Sequence, residues 1–248
     1  MPHPDSQSTA DEILAIDARL FDLEAERNRL LQRKQILQQQ TGLPPPHSAH
    51  SRQLGVEQKV ALFRGLFKGR SDVFARRWEN RKGRSGYAVA CQNEWRSGLC
   101  NKPRIKCGEC QNRRYTSLDE QAIHAHLTGK QVVGLYPLLT DNTCHLLAAD
   151  FDKTGWRDAV KAMAGACGGF GIPHAIEVSR SGNGAHLWIF FSEPVLAREA
   201  RLLGFGLLDK AMEIHPGLSF DAYDRLFPNQ DNMPAGGFGN LIALPLQY

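Results

Sequence analysis

Two carboxylates one residue apart, Asp150 and Asp152, end the apolar run LLAADFD. Because residues i and i+2 of a β-strand point to the same face of a sheet, both acids are predicted to share one face. Paired carboxylates bind hard, oxygen-seeking cations such as Mg²⁺ and Mn²⁺. A D-x-D pair is common, so it indicates a metal site only when further residues join it.

The segment SRSGNGAHLWIFF follows the acid pair and runs from a glycine-containing turn into a strand that carries His186. Such a turn predicts a phosphate-binding loop, because glycine lets backbone N–H groups of the kind expected at Gly182 and Gly184 approach an anion. The candidate nucleotide-binding residues here are Arg180, Ser181, Gly182, Asn183, Gly184 and His186. A tight β-turn next to a hydrogen-bonded histidine is the alternative that needs no ligand.

The segment YDRLFPNQD supplies a third carboxylate, Asp224. A third acid lets two cations lie roughly 4 Å apart and clamp the attacking and leaving oxygens of a phosphoryl transfer. Arg225 is a further candidate for phosphate binding, and Asn229 and Gln230 either orient the substrate or cap the turn. Asp221 is the alternative third ligand, although the position of Asp224 beside LFPNQ favours Asp224.

Four cysteines form the pattern C-x8-C-x6-C-x2-C, namely Cys91, Cys100, Cys107 and Cys110. Four thiolates complete a tetrahedral Zn²⁺ shell, and they predict a structural ion that folds a segment too polar to fold alone. The spacing of the first pair is unusual, so free thiols are the alternative. His124 or His126 is a candidate replacement for one ligand. Cys144 and Cys167 lie in apolar segments and are predicted to be buried thiols.

The charge distribution narrows the class of partner. Between Arg52 and Arg114 there are sixteen Lys and Arg against five Asp and Glu, although the formal net charge of the 248 residues is only +4. This basic block predicts a polyanionic partner such as nucleic acid, with a solvated basic surface as the alternative. No apolar run approaches the ~18 residues of a membrane span, and the first residues lack a secretory signal, so we expect a cytoplasmic protein.

Periodicity predicts the elements that position these residues. Residues 1–42 are predicted to form an N-terminal coiled-coil helix that self-associates or packs on a partner, because apolar residues recur at Ile13, Ile16, Leu20, Leu23, Leu30 and Leu37. A proline-rich linker covers 43–55, and a basic, helical and zinc-binding region covers 56–130, in which residues 56–78 have a helical period. From 131 to 248, strands alternate with helices, which predicts an α+β domain with a mixed or antiparallel sheet.

The motifs resemble, in their order, those of the archaeo-eukaryotic primase superfamily: D-x-D, then S-x-G-x-G-x-H, then an acid before FPNQ. The longer segments VVGLYPLLTDNTCHLLAADFD, SRSGNGAHLWIFF and YDRLFPNQDNMPAGGFGNLIALPLQ resemble the primase domain of TOTE-type conflict systems, which is usually fused to a helicase. The resemblance covers nearly the whole chain and is most specific in its last third.

This resemblance implies an RRM-like catalytic sheet and a primase-polymerase that joins NTPs or dNTPs on a single-stranded DNA template. It implies two Mg²⁺ or Mn²⁺ ions on Asp150, Asp152 and Asp224, with His186 and the Ser181 turn holding the triphosphate of the incoming nucleotide. A fused or associated helicase is the implied protein partner. A metal-dependent nuclease and a non-catalytic, zinc-containing nucleic-acid-binding module are the alternative functions.

Overall fold

The computed structural model describes residues 4–41, 54–215 and 220–247. The chain divides into two units, Met1–Leu54 and Gly55–Tyr248. In the first unit, helix α1 spans Pro4–Thr41, as the periodicity predicts, and its coiled-coil pairing stays a prediction. The predicted linker over 43–55 lies, apart from its last two residues, outside the described residues. Among the residues described, no helix combines the length and the apolar character needed to cross a bilayer.

The second unit contains helices and strands from both predicted regions. The helices are α2 (Val56–Leu66), α3 (Glu120–Leu127), α4 (Trp156–Gly169) and α5 (Ala197–Ile214), and short 3₁₀ turns occur at Cys107–Glu109 and Phe220–Ala222. The strands are β1 (Ala75–Glu79), β2 (Ser85–Val89), β3 (Val133–Leu135), β4 (Thr143–Asp152), β5 (Ala175–Val178), β6 (Gly184–Leu196), β7 (Tyr223–Phe227) and β8 (Ile242–Ala243).

These strands form two sheets, with the orders β2-β1-β3-β8 and β5-β6-β4-β7. Every strand pair described is antiparallel. The antiparallel form of the predicted α+β fold is therefore the one observed. The first sheet joins β1 and β2 to β3 and β8, so it contains residues from both sides of the predicted boundary at residue 130.

Strand β4 is buried on both faces, which explains its nearly continuous apolar sequence. Leu147 and Phe151 pack with α4 and α5 on one face. Leu146 and Ala148 pack on the other face with side chains of α2 and α3. Asp150 follows Ala148 by two residues and therefore lies on this second face.

The aromatic residues of the second face connect α2 to the sheet. Trp188 on β6 is 1% exposed and belongs to the same core cluster as Phe67, which follows α2. The two rings pack edge to face with centroids 5.0 Å apart. This geometry is favourable for aromatic pairs, so α2 is anchored directly on the β5-β6-β4-β7 sheet.

The helix predicted over 56–78 is wrong after Leu66, because residues 75–79 form strand β1 instead. Gly69 passes so close to the residue after β3 that a Cβ would lie 2.6 Å from the carbonyl oxygen of Tyr136. The Arg70 N–H donates to that same oxygen at 2.8 Å. These contacts with distant residues override the local helical period.

Candidate active site

Four polar side chains form one row across the β5-β6-β4-β7 sheet. The register places Glu177 opposite His186 and His186 opposite Asp150. It also places Asp150 opposite Arg225. Residues directly opposite each other in an antiparallel pair have neighbouring side chains on the same face. The row therefore alternates acidic and basic groups on the face that also carries Ala148.

The ring of His186 contacts side chains from both neighbouring strands. Its Nδ1 lies 2.6 Å from Glu177 Oε2, and its Nε2 lies 3.5 Å from Asp150 Oδ1. Because a carboxylate can only accept, Nδ1–H is the donor to Glu177. Burial lowers the pKa of His186, but the hydrogen bond and charge of Glu177, together with the charge of Asp150, raise it above its ordinary value. The ring is thus oriented with Nε2 toward Asp150.

The three predicted metal-binding acids are electrostatically coupled. Burial raises the pKa of Asp150, and the nearby charges of Asp224 and Asp152 raise it further, while His186 and Arg225 oppose the rise. Like charges that raise a carboxyl pKa in this way repel one another when ionised. A cation bound among these acids would remove that repulsion.

Asp224 reaches this group through an irregularity in β7. Arg225 pairs with Asp150 and Tyr223 pairs with Phe151, so the register gives Asp224 no Cα partner on β4. An extra residue of this kind is a β-bulge, which bends the strand and changes the direction of a side chain. The Arg225 Nε–H donates to Asp224 Oδ2 at 2.5 Å. The bulge thus places the acid predicted as third ligand close to Asp150.

Asp152 has one carboxylate oxygen that no hydrogen-bond donor reaches. Its Oδ1 is buried and accepts no hydrogen bond from the described residues, although the side chain is 47% exposed overall. Lys153 Nζ forms an ion pair with this oxygen at 3.9 Å, which is beyond hydrogen-bond distance. A buried carboxylate oxygen without a donor is unfavourable, so its position fits a cation ligand.

These acids do not form a ready coordination shell. Within the described part of the chain, no group of three or more His, Cys, Asp or Glu side chains is arranged to hold a metal ion. Asp221, the alternative ligand, lies in the 3₁₀ turn Phe220–Ala222 that precedes β7. The mutual repulsion of Asp150, Asp152 and Asp224 suits a cation, and their role as its ligands stays a prediction.

The turn between β5 and β6 is closed by its own hydrogen bonds. The Ser179 N–H donates to the Gly184 carbonyl at 2.9 Å, and the Gly182 N–H donates to the Ser179 carbonyl at 2.8 Å. The Asn183 N–H donates to Ser181 Oγ at 3.2 Å. The Gly182 amide is therefore used within the turn, contrary to the prediction that it faces an anion.

Gly184 is required by the packing of the strands. It lies opposite Asp152, and a Cβ at this position would be 2.6 Å from the carbonyl oxygen of Phe151. Real Cβ atoms do not approach a carbonyl so closely, so only glycine lets β6 lie at this distance from β4. Glycine is therefore needed at position 184 for strand packing beside the acids, and not for ligand binding in the turn.

The remaining predicted nucleotide-binding residues lie in the turn and after β7. Arg180 lies in the turn between β5 and β6. Asn229 and Gln230 follow β7, which ends at Phe227, whereas Asp224 lies near its start. Their part in nucleotide binding stays a prediction.

The sequence patterns did not place Glu177 beside His186, although a signal for this contact exists. The hairpin closes where Ser179 pairs with Gly184. Moving two residues away from the turn on each strand, the register pairs Glu177 with His186. The Trp188 Nε1–H also approaches Glu177 Oε2, at 3.4 Å. Counting the register from the turn would have identified this partner.

The four cysteines of the predicted zinc site line one small pocket between β2 and α3. They are not gathered into a coordination shell in the described residues. The region itself contains little regular structure, with only the 3₁₀ turn Cys107–Glu109 between β2 and α3. The zinc site therefore stays a prediction. Cys144 and Cys167 are buried in the core, as predicted.

His126 is excluded as a replacement zinc ligand, because the ring is fully buried and both nitrogens are used. The Val133 N–H donates to Nδ1 at 3.3 Å, and Nε2 lies 2.8 Å from the carbonyl oxygen of Pro245. Nδ1 is therefore the acceptor and Nε2–H the donor of a neutral ring. His126 joins α3 to the segment after β8.

The sequence matches one family model over most of its length. The family described as TOTE conflict system, Archaeo-Eukaryotic Primase domain has a model that matches residues 58–248. The matched range is more than half of the chain and contains both sheets, the four-cysteine region and the complete row of polar side chains. No curated protein matches the chain.

Proposed function

Because the chain belongs to the archaeo-eukaryotic primase domain family of TOTE conflict systems, we propose that it is a DNA-directed primase-polymerase. Such a nucleotidyltransferase joins NTPs or dNTPs on a single-stranded DNA template. The observation that carries the proposal is the row Glu177, His186, Asp150 and Arg225, with two further acids beside it. The row combines groups that bind cations with groups that bind phosphates on one sheet face.

In this proposal, Asp150, Asp152 and Asp224 hold two divalent cations, Mg²⁺ or Mn²⁺. The buried Asp152 oxygen without a donor and the mutual repulsion at Asp150 support this ligand set. When bound, the cations neutralise charge on the transferred phosphate and lower the pKa of the attacking 3′-hydroxyl. The protein contributes the fixed geometry of strand β4 and the bulge at Asp224.

His186 is proposed to hold the triphosphate of the incoming nucleotide through Nε2. Glu177 accepts from Nδ1 and thereby fixes the ring, and the raised pKa of His186 favours the imidazolium form. An imidazolium binds a phosphate oxygen more strongly than a neutral ring does. Arg225, which is exposed, and the Ser181 hydroxyl and Arg180 in the turn are the further phosphate-binding groups of the proposal.

A structural Zn²⁺ ion is proposed for Cys91, Cys100, Cys107 and Cys110. Their position around one pocket supports it, because four soft ligands with no open position form a closed structural site. The surrounding region has few regular elements of its own, so a metal would supply much of its folding free energy.

Two protein partners belong to the proposal. A fused or associated helicase is implied by the family resemblance. Self-association through α1 is supported by the exposure of Ile13, Ile16, Leu20 and Leu30, since apolar side chains at this spacing form a coiled-coil seam. Sedimentation of the full chain at several concentrations tests this, with a monomer at all concentrations as the contradicting result.

The proposed activity is tested by incubation with single-stranded DNA, labelled NTPs or dNTPs, and Mn²⁺ or Mg²⁺, with and without a primer. We expect metal-dependent strand synthesis by the wild type and none by Asp150→Ala, with the same circular dichroism spectrum. Degradation of the strand would identify a nuclease, and DNA binding without synthesis would identify a non-catalytic module. Full activity of Asp150→Ala would refute the site assignment.

A further inference from the structure

A groove on the β2-β1-β3-β8 sheet combines exposed tryptophans with basic side chains. It has a volume of about 610 Å³, and its lining includes Arg76, Arg77, Trp78, Glu94, Trp95 and Lys102. Strand β1 supplies one wall, and the cysteine-containing region after β2 supplies the other. Three basic side chains against one acidic side chain make the lining positive.

Strand β1 presents a basic and an aromatic side chain to the groove. Arg76 and Trp78 are two residues apart, so they lie on the same face of the strand. Trp78 is 45% exposed and lies opposite Gly86 on β2. A Cβ at Gly86 would come within 3.0 Å of the indole ring, so glycine gives this ring room to lie against β2.

The opposite wall presents the most exposed tryptophan of the described chain. Trp95 is 70% exposed, and its backbone has a left-handed φ of 58°, which is uncommon for a bulky residue. Lys102 Nζ lies 5.7 Å from the ring centroid and 2.7 Å from Glu94 Oε1. The Trp95 indole is thus exposed to solvent beside a cation, and its burial contributes little to the stability of the chain.

The basic side chains of the groove differ in how far they are neutralised. Arg77 pairs with Glu79 at 2.8 Å, and Lys102 pairs with Glu94. The Nε of Arg76, in contrast, is buried and has no hydrogen-bond partner among the described residues. Arg76 forms no ion pair among the described residues, so its charge is the one in the groove left to attract a phosphate.

We propose that this groove binds a single strand of nucleic acid, with bases stacked on Trp78 and Trp95 and a phosphate at Arg76. Aromatic faces stack on unpaired bases of any sequence, and basic side chains between them follow the backbone. A duplex hides its base faces and fits such a groove less well. This proposal deepens the proposed function, on which the role of the strand as template rests.

The test is the affinity of the full chain for a fluorescein-labelled single-stranded oligothymidylate, measured by anisotropy without nucleotides or divalent cations. All variants carry Asp150→Ala, so that no synthesis contributes. We expect Trp78→Ala and Trp95→Ala each to weaken binding by roughly tenfold, and the double variant to weaken it further. The matched control is Phe170→Ala, which removes a side chain that is 63% exposed outside the groove and should leave the affinity unchanged.

A second measurement uses variants that retain an aromatic ring. Trp156 and Trp188 are 8% and 1% exposed, so oligothymidylate is expected to quench the fluorescence of Trp78 and Trp95. Replacing both with Phe should abolish the quenching while the chain still binds. Binding of the double alanine variant at wild-type affinity would overturn the proposal, and so would equal losses for duplex and single strand. The binding assay contains no nucleoside triphosphate, so its result does not depend on catalysis. If the chain bound DNA through these tryptophans but its wild type synthesised no strand, only the proposed primase activity would be refuted.

Discussion

Glu177 and His186 face each other across the β5–β6 hairpin, and their side chains meet at 2.6 Å between Oε2 and Nδ1. This contact fixes which ring nitrogen faces Asp150. It also raises the pKa of His186 against the opposing effect of burial. The row of polar groups thus depends on a glutamate that strand β6 separates from the acids.

The first prediction concerns Glu177. Glu177→Gln keeps the size of the side chain but removes the charge that stabilises the imidazolium, so nucleotide affinity should fall by about tenfold. The measurement is the calorimetric Kd for a non-hydrolysable nucleoside triphosphate. Glu193→Gln, at an exposed position on β6, is the matched control and should bind as the wild type does. Equal affinity in all three proteins would contradict the orienting role.

The second prediction concerns Asp152. Asp152→Asn should reduce strand synthesis by about a hundredfold or more, because it removes one of the charges that act at the transferred phosphate. Its free energy of unfolding should stay within about 1 kcal/mol of the wild type, since the change also relieves repulsion. Calorimetric titration with Mn²⁺ should show weaker binding. Asp209→Asn on the exposed side of α5 should change none of these quantities.

The third prediction separates two glycines. Gly184→Ala places a methyl group 2.6 Å from the Phe151 carbonyl oxygen and should lower the free energy of unfolding by about 1–3 kcal/mol. Gly168→Ala, on α4 with open space around it, should raise it by up to about 1 kcal/mol. Urea denaturation measures both values. Equal effects of the two substitutions would refute the packing argument.

The fourth prediction concerns pH and His126, whose neutral ring is held by Val133 and Pro245. Burial lowers the pKa of His126 below its ordinary value of 6.5, although its hydrogen bonds partly oppose this. The unfolded chain therefore takes up a proton first, so stability is full above pH 6.5 and falls as the pH drops toward the lowered pKa. Unfolding temperatures from about pH 8 to about pH 5 should show this fall.

The control for His126 is the variant His126→Gln, which cannot titrate in this range. We expect it to be less stable at neutral pH, since the buried hydrogen bonds change, and to lose less stability on acidification than the wild type does. If the two proteins lose the same stability between these pH values, His126 is not the titrating group.

The fifth prediction concerns zinc. The purified chain should contain one Zn²⁺ per molecule by elemental analysis, and Cys107→Ser should lose most of it, because a thiolate ligand is replaced by a poor one. Cys167→Ala removes a thiol buried in the core outside the cluster and should retain the metal. A wild-type chain without zinc would leave the four cysteines as free thiols.

Several parts of this fold could be predicted because the signals are local. The alternation of strands and helices predicted over 131–248 includes α5, and the apolar run before Asp150 coincides with β4. Strand β1 could not be predicted, because ARRWE becomes a strand only through pairing with β2 and with β3. Long-range pairing of this kind has no local sequence period.

The candidate site also combines features that are visible in the sequence with features that depend on long-range pairing. The acid pair follows from the two-residue period of a strand, which is visible in the sequence. The proximity of Asp224 depends on a bulge in β7, and the bulge depends on how β7 meets β4. The amide of Gly182 was expected to face a ligand, but hydrogen bonding within the turn uses it. Both features are set by register and turn closure.

The packing of Trp188 between Glu177 and Phe67 bears on how this domain can be divided. One edge of the indole supports the polar row, and another contacts the aromatic residue that follows α2. A fragment beginning at residue 131 would expose Leu146, Ala148 and Trp188 to water and should aggregate. The smallest transferable module, whether in an engineered fusion or in a gene rearrangement, therefore begins at α2.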